Sequence, residues 1–270
     1  MPELPEVETS RRGISPHIVG QKIENIILRH HQLRWPIPAN LVSLLKNKTL
    51  LTVDRRAKYL LLRFNHGTLL IHLGMSGNLR ICELDAPIKK HDHVDFIFEH
   101  CLLRYTDPRR FGAILWLGEH PEESTLLSIL GPEPLSDEFT AALLHEKAKN
   151  RKLAVKQFIM EQKVVTGVGN IYATEALFKA GISPIRAANN ISLKRYQILV
   201  TAIKEILDAA IKQGGTTLKD FVGGDGKPGY FQQTLHVYGK TGEKCPRCDL
   251  PLTSVKLAAR NSVYCSQCQK

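Results

Sequence analysis

Lys58-Tyr59-Leu60-Leu61-Leu62-Arg63-Phe64 runs into the polar link Asn65-His66-Gly67 and out again through Thr68-Leu69-Leu70-Ile71-His72-Leu73. Two short apolar runs joined by three turn-forming residues read as a β-hairpin. Outward along the chain the pattern recurs. Val94-Asp95-Phe96-Ile97-Phe98 meets Cys101-Leu102-Leu103-Arg104-Tyr105 across Glu99-His100, and Ala113-Ile114-Leu115-Trp116-Leu117 follows. Links this short join antiparallel strands, because a parallel crossover needs a dozen or more residues. From about residue 20 to 118 an antiparallel sandwich or barrel is therefore expected.

Ahead of the strands, residues 2–13 hold two prolines, alternating acids and Thr9-Ser10-Arg11-Arg12-Gly13, which reads as a short helix ending at the glycine. Beyond Gly131-Pro132-Glu133-Pro134 the apolar period lengthens. Leu193, Tyr196, Leu199, Ala202, Ile203, Ile206, Leu207, Ala210 and Ile211 recur at three- and four-residue steps, between Ser192 as N-cap and Gly214-Gly215 as stop. Leu153 to Lys163 and Ile171 to Ala180 read as two further helices around Thr166-Gly167-Val168-Gly169-Asn170. That pair is either a helix-turn-helix relative whose turn amides meet phosphate or an ordinary helical hairpin. Residues 214–231 are too glycine-rich for a regular element, and a loop of that length is functional or disordered.

The chain has 270 residues, 43% hydrophobic and 23% charged, which excludes a disordered chain, a collagen-like fibre and a disulfide-stapled miniprotein. No apolar run reaches the ~18 to 20 residues of a membrane span, and the acidic start is unlike a signal peptide. A cytoplasmic protein is expected. The net charge of +11 is uneven: residues 1–150 carry 19 basic and 18 acidic side chains, residues 151–270 carry 18 and 8. Charge gathered in one half points to a polyanion, nucleic acid before an anionic membrane.

Six cysteines in a reducing compartment are not expected to pair as disulfides. Cys82 and Cys101 stand alone in apolar stretches and read as buried small hydrophobes. Cys245-Pro-Arg-Cys248 and Cys265-Ser-Gln-Cys268, separated by 16 residues, have the spacing of one structural Zn2+ held by four thiolates, rather than of a redox pair. Four thiolates close the shell, so such a metal holds structure and activates no water.

Several stretches, in order from first residue to last, resemble the bacterial formamidopyrimidine-DNA glycosylases. They are Pro2-Glu3-Leu4-Pro5-Glu6-Val7-Glu8-Thr9, His72-Leu73-Gly74-Met75-Ser76-Gly77, His91-Asp92-His93-Val94-Asp95, Arg104 to Gly112, Gly167 to Tyr172, Gly214 to Phe221 and the four-cysteine tail. The resemblance implies an α+β fold of two domains. An N-terminal antiparallel β-sandwich with flanking helices (1–130) precedes a helical helix-two-turn-helix region (131–235) and a four-cysteine zinc finger (236–270). It also implies a bifunctional glycosylase and abasic-site lyase of base excision repair, acting as a monomer in the bacterial cytoplasm. The implied partner is double-stranded DNA bearing oxidised purines, such as 8-oxoguanine, or abasic sites.

By the same resemblance Pro2, freed by removal of Met1, is a secondary amine that attacks C1′ of the damaged nucleotide. An α-amino group near pKa ~7.7 to 8.0 is partly neutral at pH 7, unlike a typical lysine. Glu3 is the acid beside it and Glu6 a positioning or relay residue, while Glu8 reads as a favourable charge at a helix N-terminus. Lys58 serves the first elimination. Arg260 serves the second, acting electrostatically, since a guanidinium is a poor literal acid. A base buried in the duplex must be everted, and Met75, Arg109 and Phe111, in glycine-bearing turns, match the residues that fill the void. His91, Arg109, Arg151 and Asn170 match DNA contacts, with Lys152 as an alternative to Arg151. Residues 216–231 correspond to a loop that closes over the everted base, with Tyr230 a lid aromatic. Two other readings compete. One is the endonuclease VIII-type sister, which prefers oxidised pyrimidines; the other is a non-catalytic zinc-finger damage-binding protein, which needs no free Pro2 amine.

Overall fold

The computed structural model describes residues 2–215 and 235–270, so 216–234, with Tyr230, lie outside the described residues. Contacts divide the chain into two compact units, the first running through Ser128 and the second from Ile129 through Lys212 and resuming at Leu235, with 213–215 belonging to the first. In the first unit helix α1 (Leu4–Ile18) precedes strand β1 (Asn25–Leu28) and a short α2 (Leu41–Leu45). Seven strands follow: β2 (Thr52–Arg56), β3 (Tyr59–Phe64), β4 (Gly67–His72), β5 (Asn78–Cys82), β6 (Asp92–Ile97), β7 (Leu102–Thr106) and β8 (Ala113–Trp116). A one-turn α3 (Thr125–Ser128) ends the unit.

The strands form two four-stranded antiparallel sheets, β1-β6-β7-β5 and β2-β3-β4-β8. The opening hairpin pairs Phe64 with Gly67 and Leu60 with Ile71, leaving Asn65-His66 as its two-residue loop. Leu60, Leu62, Phe64, Leu69 and Ile71 from one sheet share a buried core with Ile26, Leu79, Val94, Phe96, Leu103 and Tyr105 from the other. This is the expected sandwich. β1, β2 and β5 escaped the sequence reading because polar residues interrupt them: Asn25, the Asp54-Arg55-Arg56 end of β2, and Asn78 and Arg80.

Two expectations are corrected. Helix α1 does not stop at Gly13, and it even contains Pro16 near its end. A helical glycine costs about 1 kcal/mol and an internal proline about 3. Ile14 and Ile18 beyond it are fully buried, and two such side chains return roughly 3 to 6 kcal/mol on the scale of full side-chain burial. Cys82 and Cys101 are only half-buried, because the first ends the edge strand β5 and the second sits in the β6–β7 turn.

The second unit contains α4 (Ala141–Ala148), α5 (Val155–Ile159), α6 (Asn170–Ala180), α7 (Leu193–Lys212) and the hairpin β9 (Thr253–Leu257) and β10 (Arg260–Tyr264). α7 follows the apolar period read from the sequence, with Tyr196, Leu199, Ala202, Ile203, Leu207 and Ala210 buried. The helix expected from Leu153 to Lys163 is instead the five-residue α5 followed by turns. The carbonyls of Phe158 and Glu161 accept turn bonds from Glu161 and Val164, which lead the chain into the glycine turn. No helix among the described residues is long and apolar enough to cross a membrane.

Candidate active site and nucleic-acid contacts

Pro2 is buried immediately ahead of α1, whose N-cap is Glu3. Glu3 and Glu6 form a reciprocal capping box: the Glu3 carboxylate accepts the Glu6 backbone N–H, and the Glu3 N–H donates to Glu6 Oε2 at 2.8 Å. Both acids are almost fully buried, at 2% and 0% exposure. The arrangement fixes two carboxyl groups within four residues of Pro2 and satisfies orphan amides of the helix start. A Cβ added to Gly215 would lie 3.2 Å from Glu6 Oε1, so the segment after α7 begins against this acid.

Glu8 is not merely a charge near a helix start. Its carboxylate accepts from Arg11 Nη2 at 2.8 Å, Arg12 Nε at 2.8 Å and Arg55 Nε at 3.1 Å. Arg55 donates in turn to the Ala57 carbonyl at 2.9 Å. Ala57, at φ +55°, and Lys58 make the two-residue turn between β2 and β3, so the Glu8–Arg55 pair ties α1 to the turn that carries Lys58. Burial alone would raise the Glu8 carboxyl; hydrogen bonds from Arg11 and Arg12 and the charges of Arg11 and Arg55 outweigh it and bring it down to about 2.

His72, which ends β4, was not singled out in the sequence. Its ring lies 5.1 Å from that of Tyr59, and Nδ1 accepts the Gly74 N–H at 3.3 Å. Burial, reinforced by the charges of Lys58 and Arg34, pulls it down to about 4, so it is neutral at physiological pH. A lone histidine ending an apolar strand and leading into a glycine turn was the available signal.

Met75 and Phe111 are 39% and 45% exposed, and the Arg109 guanidinium stacks 4.8 Å from the Phe111 ring centre. Between them lies a fully buried Asp107. It accepts from Ser76 Oγ at 2.7 Å, the Gly112 N–H at 2.9 Å, Tyr105 Oη at 3.2 Å and the Arg109 N–H at 3.3 Å. Its own N–H donates to the carbonyl of His91 at 3.1 Å. Sequence reasoning assigned Asp107 no role, although an acid between aromatic and arginine-rich stretches was visible.

In the second unit Arg151 is ion-paired with Glu161 and lies 5.8 Å from the Phe158 ring centre, whereas the neighbouring Lys152 is exposed. Asn170 opens α6 behind Gly169, its side-chain Oδ1 buried without a partner among the described residues. Arg260 is exposed directly after the tight Ala258-Ala259 turn, and with Lys156 and Glu161 it borders a cleft of about 240 Å³. Lys156 Nζ donates to Ser262 Oγ at 2.7 Å, joining α5 to the β9–β10 hairpin. Glu175, another residue the sequence reading passed over, is buried within α6. Its carboxylate accepts the N–H groups of His236, Val237 and Tyr238 at 2.9, 2.9 and 2.7 Å. A single acid inside an apolar helix was its signal.

The Sγ atoms of Cys245, Cys248, Cys265 and Cys268 all lie within 4.8 Å of one another, with Cys245–Cys268 at 4.0 Å and Cys248–Cys265 at 3.4 Å. Zn–S bonds of about 2.3 Å in a tetrahedron put sulfurs roughly 3.8 Å apart, so the donor set fits one structural Zn2+. The Arg247 and Cys268 amides donate to the Cys245 and Cys265 sulfurs at 3.5 and 3.4 Å, as expected of thiolate knuckles. Val237, Leu252, Val263 and Phe178 pack around them.

Comparison with known proteins covers every part of this architecture. Residues 1–114 match the formamidopyrimidine-DNA glycosylase N-terminal domain, 130–222 the formamidopyrimidine-DNA glycosylase H2TH domain, and 242–270 a zinc finger found in FPG and IleRS. The chain is 74% identical over 269 residues, the full length of both, to the formamidopyrimidine-DNA glycosylase of Psychromonas ingrahamii. Two solved structures of the Lactococcus lactis protein are 37% identical and covered completely. One is a G226P mutant bound to a Fapy-dG containing DNA, at a TM-score of 0.94; the other is a complex with an abasic site containing DNA, at 0.93.

Proposed function

Because this chain belongs to the formamidopyrimidine-DNA glycosylase family, we propose that it excises oxidised purines, 8-oxoguanine and formamidopyrimidines among them, from duplex DNA and then cleaves the strand. The observation that carries the reading is Pro2, buried at the head of α1 beside two carboxyl groups locked into a capping box. Once Met1 is removed, Pro2 presents a secondary amine. Burial and the positive end of the helix both disfavour an ammonium there, leaving a nucleophilic lone pair.

The amine attacks C1′ as the glycosidic bond breaks, and the N–H proton that the amine gives up leaves with the base. Opening of the sugar ring at O4′ leaves an iminium between Pro2 and C1′; Glu3 supplies the proton and Glu6, through its bond to the Glu3 N–H, holds that acid in place. The iminium acidifies the C2′ protons. Loss of one breaks the C3′–O bond, with Lys58 as proton donor and phosphate partner, and a second elimination breaks the C5′–O bond with Arg260 on the phosphate side. Lys58 is 8% exposed, held at the turn anchored by Glu8 and Arg55.

Met75, Arg109 and Phe111 fill the place of the everted nucleotide, Arg109 offering its donor fork to the orphaned cytosine. His91, Arg151 and Asn170 contact the phosphate backbone, which positions the duplex without reading it. The zinc finger shapes the segment that bears Arg260, and one chain acting as a monomer in the bacterial cytoplasm suffices. The test is incision of paired duplexes carrying 8-oxoguanine or dihydrouracil opposite a normal base. Faster release of the purine, with phosphate left on both sides of the gap, is expected. Preferential release of dihydrouracil contradicts the substrate assignment.

A further inference from the structure

Two turns carry the proposed void-filling groups, Leu73 to Gly77 with Met75 and Arg109 to Gly112 with Phe111. They are separate in sequence and interlocked in space. A Cβ on Gly74 would fall 2.4 Å from the Gly112 nitrogen and the Phe111 carbonyl carbon, and one on Gly112 2.5 Å from the carbonyl oxygen of His72, which leads into the first turn, so the two segments meet as bare backbone. The carboxylate of Asp107 lies at their junction. It takes the Ser76 hydroxyl from the first turn and the Arg109 and Gly112 amides from the second, and Ser76 Oγ itself accepts the Arg109 N–H at 3.2 Å. Burial first, and then Asp107, hold Tyr105 well above the ordinary phenol range, so its hydroxyl stays a donor to this carboxylate.

These bonds tie both turns to one carboxylate. Met75 and Phe111 stand exposed, and Arg109 is stacked on Phe111. We propose that Asp107 is a positioning residue that joins the two turns into one wedge, so that Met75, Arg109 and Phe111 enter the vacated position as a unit. This rests on the void-filling reading above. Joining the turns lowers the conformational freedom that is left to lose during eversion. It also makes the void-fillers energetically coupled, since displacing one turn displaces the other.

The experiment is a double-mutant cycle on a duplex containing a tetrahydrofuran abasic analogue opposite cytosine. Affinity is measured for the parent, M75A, F111A and the double variant, and the whole cycle is repeated in S76A and D107N backgrounds. In the parent the double variant is expected to depart from the product of the single losses by about fivefold or more. In S76A, which cuts one turn from the carboxylate, and in D107N, which turns one of its two acceptor oxygens into a donor amide, the losses should multiply to within about twofold. Thermal unfolding of each background checks that the fold survives, and S76A keeps the test available if D107N does not fold. Coupling in S76A equal to that of the parent overturns the proposal while leaving void-filling intact. If neither M75A nor F111A weakens binding, the void-filling reading fails and the proposal with it.

Discussion

Glu8, buried, and His72, half-buried, both stand beside charged neighbours in the first unit, yet their ionisation pulls stability in different pH windows. The carboxyl of Glu8, lowered to about 2, contributes stability that is complete above its ordinary value near 4.5 and lost as pH falls towards 2. His72, lowered to about 4, is held neutral; unfolding gains a proton progressively as pH falls from 6.5 to 4, a penalty of about 3 kcal/mol once below both values. Urea unfolding across this range should therefore show a loss between pH 6.5 and 4 that His72→Gln reduces. An equal slope in the variant would assign the loss to other groups. Glu8→Gln is expected to cost about 2 kcal/mol at pH 7, since it leaves Arg55 and Arg11 short of their carboxylate. Lys58→Ala should slow strand cleavage at a ready-made abasic site at least tenfold while releasing the base more nearly normally. Parallel loss of both steps would remove Lys58 from the elimination.

At the scale of elements, the hairpin at 58–73, α6, α7 and the paired cysteine knuckles could be read in the sequence because each has a strong local signature. Periodicity or fixed spacing survives whatever the rest of the chain does. α1 and α5 differ from their sequence patterns for different reasons. Ile14 and Ile18, buried in the core, carry α1 past a glycine, which is not local information, whereas short-range turn bonds at Glu161 and Val164 end α5 where the apolar period alone would continue it. His72 and Asp107 lie on the same motifs as the visible site residues, but their interest comes from contacts with Tyr59 and Ser76, and that of Glu175 from residues 236–238, which only the fold brings near. The zinc finger is an element that folds around its metal, so chelation is expected to lower duplex affinity more than tenfold while far-UV circular dichroism changes little. Unchanged affinity after verified zinc loss would separate the finger from DNA binding.

For the whole molecule, the excess of ten positive charges in residues 151–270 makes electrostatics dominate duplex affinity, which should fall steeply with salt. Arg151 enters that balance already paired with Glu161, which is also 3.8 Å from Lys163. Removing the competing carboxylate with Glu161→Gln should tighten binding to undamaged duplex about threefold and steepen the salt dependence, whereas Arg151→Ala should flatten it by less than one phosphate equivalent. An unchanged slope in both variants would place Arg151 away from DNA. The central claim is the chemistry of Pro2. Its most direct test is borohydride trapping on an 8-oxoguanine·cytosine duplex, with loss of Met1 first verified by intact mass and the adduct mapped by peptide sequencing. A covalent adduct on Pro2, absent in Pro2→Gly, is expected. Active protein that still carries Met1, or an adduct mapping to a lysine with Pro2 unmodified, would contradict it.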